Sequence, residues 1–317
     1  MMRRSIIWVA VALIIVAILV VSRPEGLGFK PRIDASASVL LDMDSDSIWM
    51  ESNGDKAMPT ASVTKLMTEM IVLDRISTGA IHWADRITVS PYAGSLGGAT
   101  LSLKRGETYT VRELFEGITV YSANDAAVAL AEYTAGSENA FVVLMNEKAR
   151  SLGLSSGTVF TNASGLASSE LGPSRPPGYI SGETLMTAKD TARLAAALIR
   201  SHPEVLNASS RTQMQLKAKG MYASNTNLML PAMGGAFAYA GTDGLKTGYD
   251  IRSGYCIAGT AQRDGHRLIA VVLGAETSQS RFEAATKLFN HGFYRSLPTG
   301  ERVKHILNAT FSLLSWR

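Results

Sequence analysis

Three clusters of reactive side chains occur in order along the 317-residue chain: Ser62-Val63-Thr64-Lys65, Ser122-Ala123-Asn124 and Lys246-Thr247-Gly248. A serine hydroxyl is a weak nucleophile at neutral pH and needs a base within hydrogen-bond reach. Residues three apart on a helix share a face, so a helix starting near Ser62 brings Lys65 beside it one turn later. Lysine can take the serine proton only when neutral, a state that burial and a second nearby cation, here Lys246, both favour. Two such lysines titrate as a pair. Ser122 could pass a proton to a leaving amine, and Asn124 could orient a substrate amide and the lysine. The positive end of the helix would sit beside the charge that develops during attack. This chemistry is acyl transfer by side chains and backbone donors, and it calls for no metal or organic cofactor.

Taken singly, the clusters are common. A Ser-x-x-Lys pair is expected about once by chance in a chain of this length, and Ser137-Glu138-Asn139 is a second Ser-x-Asn that reads as a solvated helix edge. The weight lies in the order and in the rarer Lys-Thr-Gly. The competing reading is a capped helix start, a turn serine and a strand lysine without catalytic roles. A Ser-His-Asp triad has no placed histidine, since His82, His202, His266, His291 and His305 are isolated and none has His-Glu-x-x-His spacing. Asp42, Asp44 and Asp46 alternate as at the start of a calcium loop, but Ser47 stands where Gly is needed and Asn53 where a bidentate Glu is needed. A solvated turn is the better reading. Cys256, the single cysteine, lies in the apolar run Gly254 to Ala258 and reads as a small buried hydrophobe.

The elements that must position these groups follow from periodicity. Val63, Leu66, Met67, Met70, Ile71 and Leu73 predict a buried helix from Pro59 to Asp74. Further helices are predicted over 111–118, 125–133, 140–152, 188–200 and 279–291. Residues 38–41 and 48–51 read as a hairpin, and 254–261 with 267–274 as another around Arg263-Asp264-Gly265. Strands in both terminal thirds with helices between predict an α+β fold: one antiparallel sheet flanked by helices, carrying an inserted all-helical lobe.

Composition fits a globular chain. Hydrophobic residues make up 46% of the chain, enough for a large core. The net charge of +4 is spread without a basic stripe, which argues against a nucleic-acid partner. Arg3 and Arg4 precede an apolar run from Ile6 to Val21, about 24 Å long as a helix. Residues 1–22 therefore read as a transmembrane anchor or signal segment, with the rest of the chain outside the cell. A retained anchor is favoured, because no small-x-small cleavage site stands out. Residues 23–34 read as a linker, 35–296 as the catalytic domain and 297–317 as a short tail. Val303, Ile306, Leu307, Thr310, Phe311 and Leu314 recur in that tail at helical spacing, fitting either a membrane surface or packing on the domain.

The stretches Pro59 to Thr68, Tyr121 to Ala127 and Asp243 to Gly248 resemble the D-alanyl-D-alanine carboxypeptidases of peptidase family S11, the low-molecular-weight penicillin-binding proteins. The resemblance runs from about Ala35 to Tyr294. It implies the β-lactamase/DD-peptidase-like fold, an acyl-enzyme on Ser62, Lys65 as base, Ser122 assisting, and Lys246, Thr247 and Gly248 along the substrate strand. It further implies an oxyanion hole from the backbone N–H groups of Ser62 and Tyr249, and Arg281 binding the free carboxylate of a terminal D-Ala, a role for which a planar guanidinium is suited. An ordinary surface salt bridge is the alternative for Arg281. The implied substrates are peptidoglycan stem peptides ending in D-Ala-D-Ala, with β-lactam antibiotics as inhibitors, at the outer face of the cytoplasmic membrane. In Thr161 to Leu166 many relatives carry His where Ser164 stands, which puts any role of that imidazole in doubt. The further β-rich domain of many relatives is not evident.

A β-lactamase of the same fold would need a carboxylate to activate the deacylating water. Glu170 and Glu183 lack the Asn four residues later that typically accompanies it, Ser174 and Thr187 standing there instead, so slow release of penicillin is expected. A non-catalytic envelope scaffold is the other alternative, against which the intact Ser62, Lys65, Ser122 and Lys246 argue.

Overall fold

The computed structural model describes residues 30–298 except 173, together with 300–302 and 304. The apolar run at 6–21 and the periodic tail residues from Val303 lie outside the described residues. Among the described residues, no helix is long and apolar enough to cross a membrane.

Residues 33–289 pack as one unit. It opens with the hairpin β1 (Ala37–Asp42) and β2 (Ser47–Ser52), followed by the short β3 (Met58–Pro59). A 3-10 turn at Ala61–Thr64 leads into α1 (Lys65–Ser77). The helix predicted from Pro59 thus starts later, because Pro59 is paired with Leu185 and Ala61 adopts φ +45°. Next come β4 (Arg86–Thr88), β5 (Thr108–Thr110) and α2 (Val111–Glu116), which runs on as a π turn, Gly117–Tyr121. The lobe continues with α3 (Asn124–Ala135), α4 (Glu138–Ser151), β6 (Leu185–Met186), α5 (Ala188–Ser201) and α6 (Val205–Ser209). After β7 (Gln213–Leu216) and β8 (Met221–Ser224), the chain returns to the sheet as β9 (Thr242–Asp250), β10 (Gly254–Arg263) and β11 (His266–Ala275), then enters α7 (Ser278–Ser296). Beyond residue 289, the backbone N–H groups of Glu301 and Arg302 donate to Pro298 O in a further helical turn.

The main sheet is antiparallel, in the order β2-β1-β11-β10-β9. Ala37 pairs with Leu273 and Asp42 with Leu268, so the two terminal thirds interlock as the terminal strand patterns predicted. All six residues of β1 are buried, as expected of a strand with neighbours on both sides and both faces covered. Helix α5 packs on β1 and β11, and Phe289 packs against Gly259 of β10. The inserted lobe is mainly helical, but β3 with β6, β4 with β5, and β7 with β8 form ribbons that periodicity did not reveal. Strands of two to four residues are too short to display alternation.

Two polar readings change in the structure. Ser137 is not an idle edge: its Oγ caps α4 by accepting from Ala140 N at 3.1 Å. The turn expected to be solvated is in part buried and paired. Asp42 is buried and accepts from Ser45 N at 3.1 Å, His266 lies between Asp42 and Asp44, and Asp46 pairs with Arg200 at 2.8 Å.

Candidate active site

Ser62 lies in the 3-10 turn that opens α1, and Lys65 is the first residue of the helix proper. The predicted geometry is present: Lys65 Nζ is 2.9 Å from Ser62 Oγ. The same nitrogen lies 2.8 Å from Asn124 Oδ1 and 2.7 Å from the Ser164 carbonyl oxygen. Those two oxygens can only accept. A neutral amine has two N–H donors for them and one lone pair left for the Ser62 hydroxyl proton. Burial holds the Lys65 ammonium well below the usual lysine range, aided by repulsion from Lys246 and opposed by Glu69 and Asp125. The side chain is 0% exposed, so water cannot supply the lost hydration.

Ser122 and Asn124 arrive from the lobe. The π turn after α2 ends with Ser122 in a left-handed conformation, φ +72°, sparsely populated by side chains other than glycine. That turn directs the chain into α3, whose first residue is Asn124. Asn124 Nδ2 donates to Gly97 O at 2.9 Å while Oδ1 faces Lys65. The lysine-orienting half of its expected role is therefore built, with one amide hydrogen left for a ligand.

Strand β9 forms the opposite wall and, among the described residues, is an edge of the sheet, paired with β10 alone. Lys246 is 1% exposed and donates to Thr247 O at 3.0 Å. Burial brings its ammonium down to about 8; Glu69 opposes this and Arg281 adds to it. Thr247 Oγ1 donates to Thr226 Oγ1 at 2.6 Å. Gly248 must be small, because a Cβ there would lie 2.6 Å from Thr60 O and 3.1 Å from Ser62 N. The backbone of β9 is thereby held against the Ser62 amide. Tyr249 is exposed and stacks on Tyr255 at 4.1 Å.

Arg281, on α7, is no surface salt bridge. It is buried, its Nη1 donates to Gly248 O at 3.2 Å and Cys256 O at 3.3 Å, and its Nε has no hydrogen-bond partner. Burial lowers its guanidinium to about 10, so it stays charged at neutral pH. Cys256 is a buried free thiol pushed up to about 11 by burial, in keeping with an inert packing role.

Ser62, Ser122, Asn124, Thr247, Gly248, Tyr249 and Arg281 all line one cleft of about 560 Å³. Lys65 and Lys246 lie buried behind its surface. The assembly can bring a carbonyl carbon to Ser62 Oγ, take up the serine proton on Lys65 and hold an anionic group near Arg281. Sequence reasoning missed the Ser164 carbonyl, Thr226 and Glu69. The first acts through its backbone, so side-chain identity gives no clue. The second sits in the polar loop Ser224 to Asn227 without a motif. Glu69 did leave a signal, a carboxyl inside an apolar helix. Of the two carboxylates weighed as water activators, Glu170 lines the cleft but accepts from Ala167 N at 3.2 Å, and Glu183 is ion-paired with Arg252.

The chain is similar to known proteins over most of its length. The sequence profile of the D-alanyl-D-alanine carboxypeptidases, peptidase family S11, matches residues 26–277. The chain is 33% identical to D-alanyl-D-alanine carboxypeptidase DacF of Bacillus subtilis, over 85% of its own length and 65% of that protein. It is 34% identical to DacC of Escherichia coli, over 83% of its length and 62% of that protein. The chain thus spans less than two-thirds of these curated relatives. Among solved structures, ampicillin-bound penicillin-binding protein D2 from Listeria monocytogenes aligns with a TM-score of 0.71 at 34% identity, covering 83% of this chain and 98% of that one. PBP3 of Streptococcus pneumoniae aligns with a TM-score of 0.77 at 31% identity, covering 83% and 74%.

Proposed function

Because the chain belongs to the D-alanyl-D-alanine carboxypeptidase family, peptidase family S11, we propose that it is a penicillin-binding serine carboxypeptidase that removes the terminal D-Ala from peptidoglycan stem peptides. The observation that carries this reading is the buried Lys65 amine, 2.9 Å from Ser62 Oγ and matched by two obligate acceptors. Ser62 Oγ attacks the carbonyl carbon of the penultimate D-Ala while its proton moves to Lys65. Ser122 passes its proton to the departing D-Ala nitrogen as the C–N bond breaks and takes the one held by Lys65 in its place. Water then attacks the ester on Ser62, one of its protons passing through Lys65 to the serine oxygen as the C–O bond breaks and the shortened peptide leaves. The N–H groups of Ser62 and Tyr249 stabilise the oxyanion. The substrate lies along the open edge of β9 as an added strand, with Lys246, Thr247 and Gly248 beside it. Arg281 receives its terminal carboxylate, and the second Nδ2 hydrogen of Asn124 an amide oxygen.

A β-lactam fits the same scheme as an acylating mimic, and the ampicillin-bound relative supports this. The catalytic domain is assigned to 35–296, following an N-terminal anchor or signal segment and a linker and preceding a short tail. Arg3, Arg4 and the apolar run after them support action at the outer face of the cytoplasmic membrane, where peptidoglycan lies. The direct test is fluorescent-penicillin labelling with an assay of D-Ala release from a D-Ala-D-Ala peptide. Stable labelling and D-Ala release are expected. Absence of both would overturn the reading, and rapid steady penicillin hydrolysis would make the protein a β-lactamase.

Arg281→Ala should raise KM for such a peptide about tenfold to a hundredfold, the worth of a charge-assisted hydrogen bond. It should also erase the preference for a free carboxylate over the C-terminal carboxamide. If that preference survives, the guanidinium serves only to brace the Gly248 and Cys256 carbonyls.

A further inference from the structure

Helix α1 is buried from Lys65 through Leu73, so each polar side chain there must be satisfied from within the protein. Lys65 is satisfied, and Thr68 Oγ1 donates to Ala163 O at 2.7 Å. Glu69 differs: it is 1% exposed and, among the described residues, neither carboxylate oxygen has a hydrogen-bond partner. It stands four residues beyond Lys65 and seven beyond Ser62, on the same stripe of the helix. The buried Thr119 hydroxyl of the π turn lies beside it without completing a hydrogen bond.

An unpaired carboxylate is costly in such a place unless a buried cation balances it. Two amines, Lys65 and Lys246, share its surroundings. With both as ammonium groups, one carboxylate leaves an excess positive charge; with one protonated, the three groups balance. The influences on the two amines differ. On Lys246, after burial, Glu69 is the leading one, with Arg281 repelling; on Lys65, after burial, repulsion by Lys246 precedes attraction by Glu69 and by Asp125. Asp125 is itself occupied by the N–H groups of Leu101, Leu103 and Ala126, which leaves Glu69 as the counter-charge without hydrogen bonds.

We propose that Glu69 is a positioning residue for the acyl transfer: its carboxylate holds the ammonium on Lys246 and so leaves Lys65 as the free amine beside Ser62. The inference rests on the function proposed above. Burial pushes the Glu69 carboxyl up to about 7, against the pull of Lys246, Thr119 and Lys65, so its charge is in play near neutral pH.

The test is the pH dependence of penicillin acylation in the full-length protein. Acylation rises as Lys65 loses its proton and falls as Lys246 loses its own. Glu69→Gln removes the negative charge that favours both ammonium forms, so both limbs should move to lower pH, the Lys246 limb by about one unit and the Lys65 limb by less. Glu69→Asp keeps the charge and should keep the limbs near their wild-type positions, even at a reduced rate. Thr119→Val removes only the hydroxyl that favours the carboxylate and should move the limbs in the same direction by less, a second reading if Glu69→Gln does not fold. Limbs that stay put in Glu69→Gln, or in Thr119→Val where that variant alone folds, would reduce Glu69 to a packing residue. A wild-type protein that is not acylated at all would instead remove the proposed function itself.

Discussion

Lys65→Arg is expected to slow acylation by penicillin by roughly four to six orders of magnitude, approaching the complete loss in Ser62→Ala, although it puts a basic side chain of similar reach at the same position. The reason is protonation. A guanidinium stays charged at any pH the protein survives and offers only donors, so it has no lone pair for the Ser62 proton. Lys65→Met should lose as much activity for a different reason, since a chain of similar length fills the slot without an amine. It leaves Asn124 Oδ1 and the Ser164 carbonyl without the donor they now share, costing about 1–3 kcal/mol for each orphaned group. Mass spectrometry of the Ser62 adduct after timed quenching measures both lysine variants, with Ser62→Ala as the control that forms none. Acylation of Lys65→Arg within tenfold of wild type would remove Lys65 as the base.

Gly165→Ala should be among the most destabilising methyl additions in the chain. Gly165 has φ +79°, and a Cβ there would lie 2.0 Å from Ala61 O and 2.7 Å from Thr64 Oγ1. The methyl would therefore be driven into the turn that carries Ser62. A backbone-only penalty is about 1 kcal/mol; the clash should bring the total to about 3 kcal/mol or more and lower Tm by on the order of 10 °C. Gly79→Ala is the control, since Gly79 shares the positive φ, +72°, with nothing within 4 Å of the added atom. Calorimetry of the two should separate conformational cost from collision. Equal Tm losses would mean that the Gly165 loop does not press on Ala61 as described.

Much of this site could be read from residue order because its chemistry needs particular side chains at helical and strand spacing. Ser62 and Lys65 are one helical turn apart, and the distance between them follows. Arg281 was legible only through the family resemblance, and its burial against Gly248 O and Cys256 O was not foreseen. Other parts left no trace of that kind. The Ser164 carbonyl belongs to the backbone, so the Lys65 contact does not depend on which side chain stands at that position. The late start of α1 comes from Ala61 adopting a left-handed conformation that alanine rarely takes, a consequence of tertiary packing instead of local preference. The ribbons of the lobe were hidden because two paired residues, such as Met58 and Pro59 against Met186 and Leu185, carry no period.

The register of β1 with β11 bears on how the chain comes to life. Ala37 finds its partner only when Leu273 exists, so a polypeptide emerging from the ribosome holds its first hairpin without a seat for most of its synthesis. Closing so long a loop costs little extra free energy, since the entropic term grows only as the logarithm of length, but it delays completion of the sheet until the last third has been made. The main sheet of a nascent chain of this design stays incomplete until β11 has been made, which suits the export proposed for it.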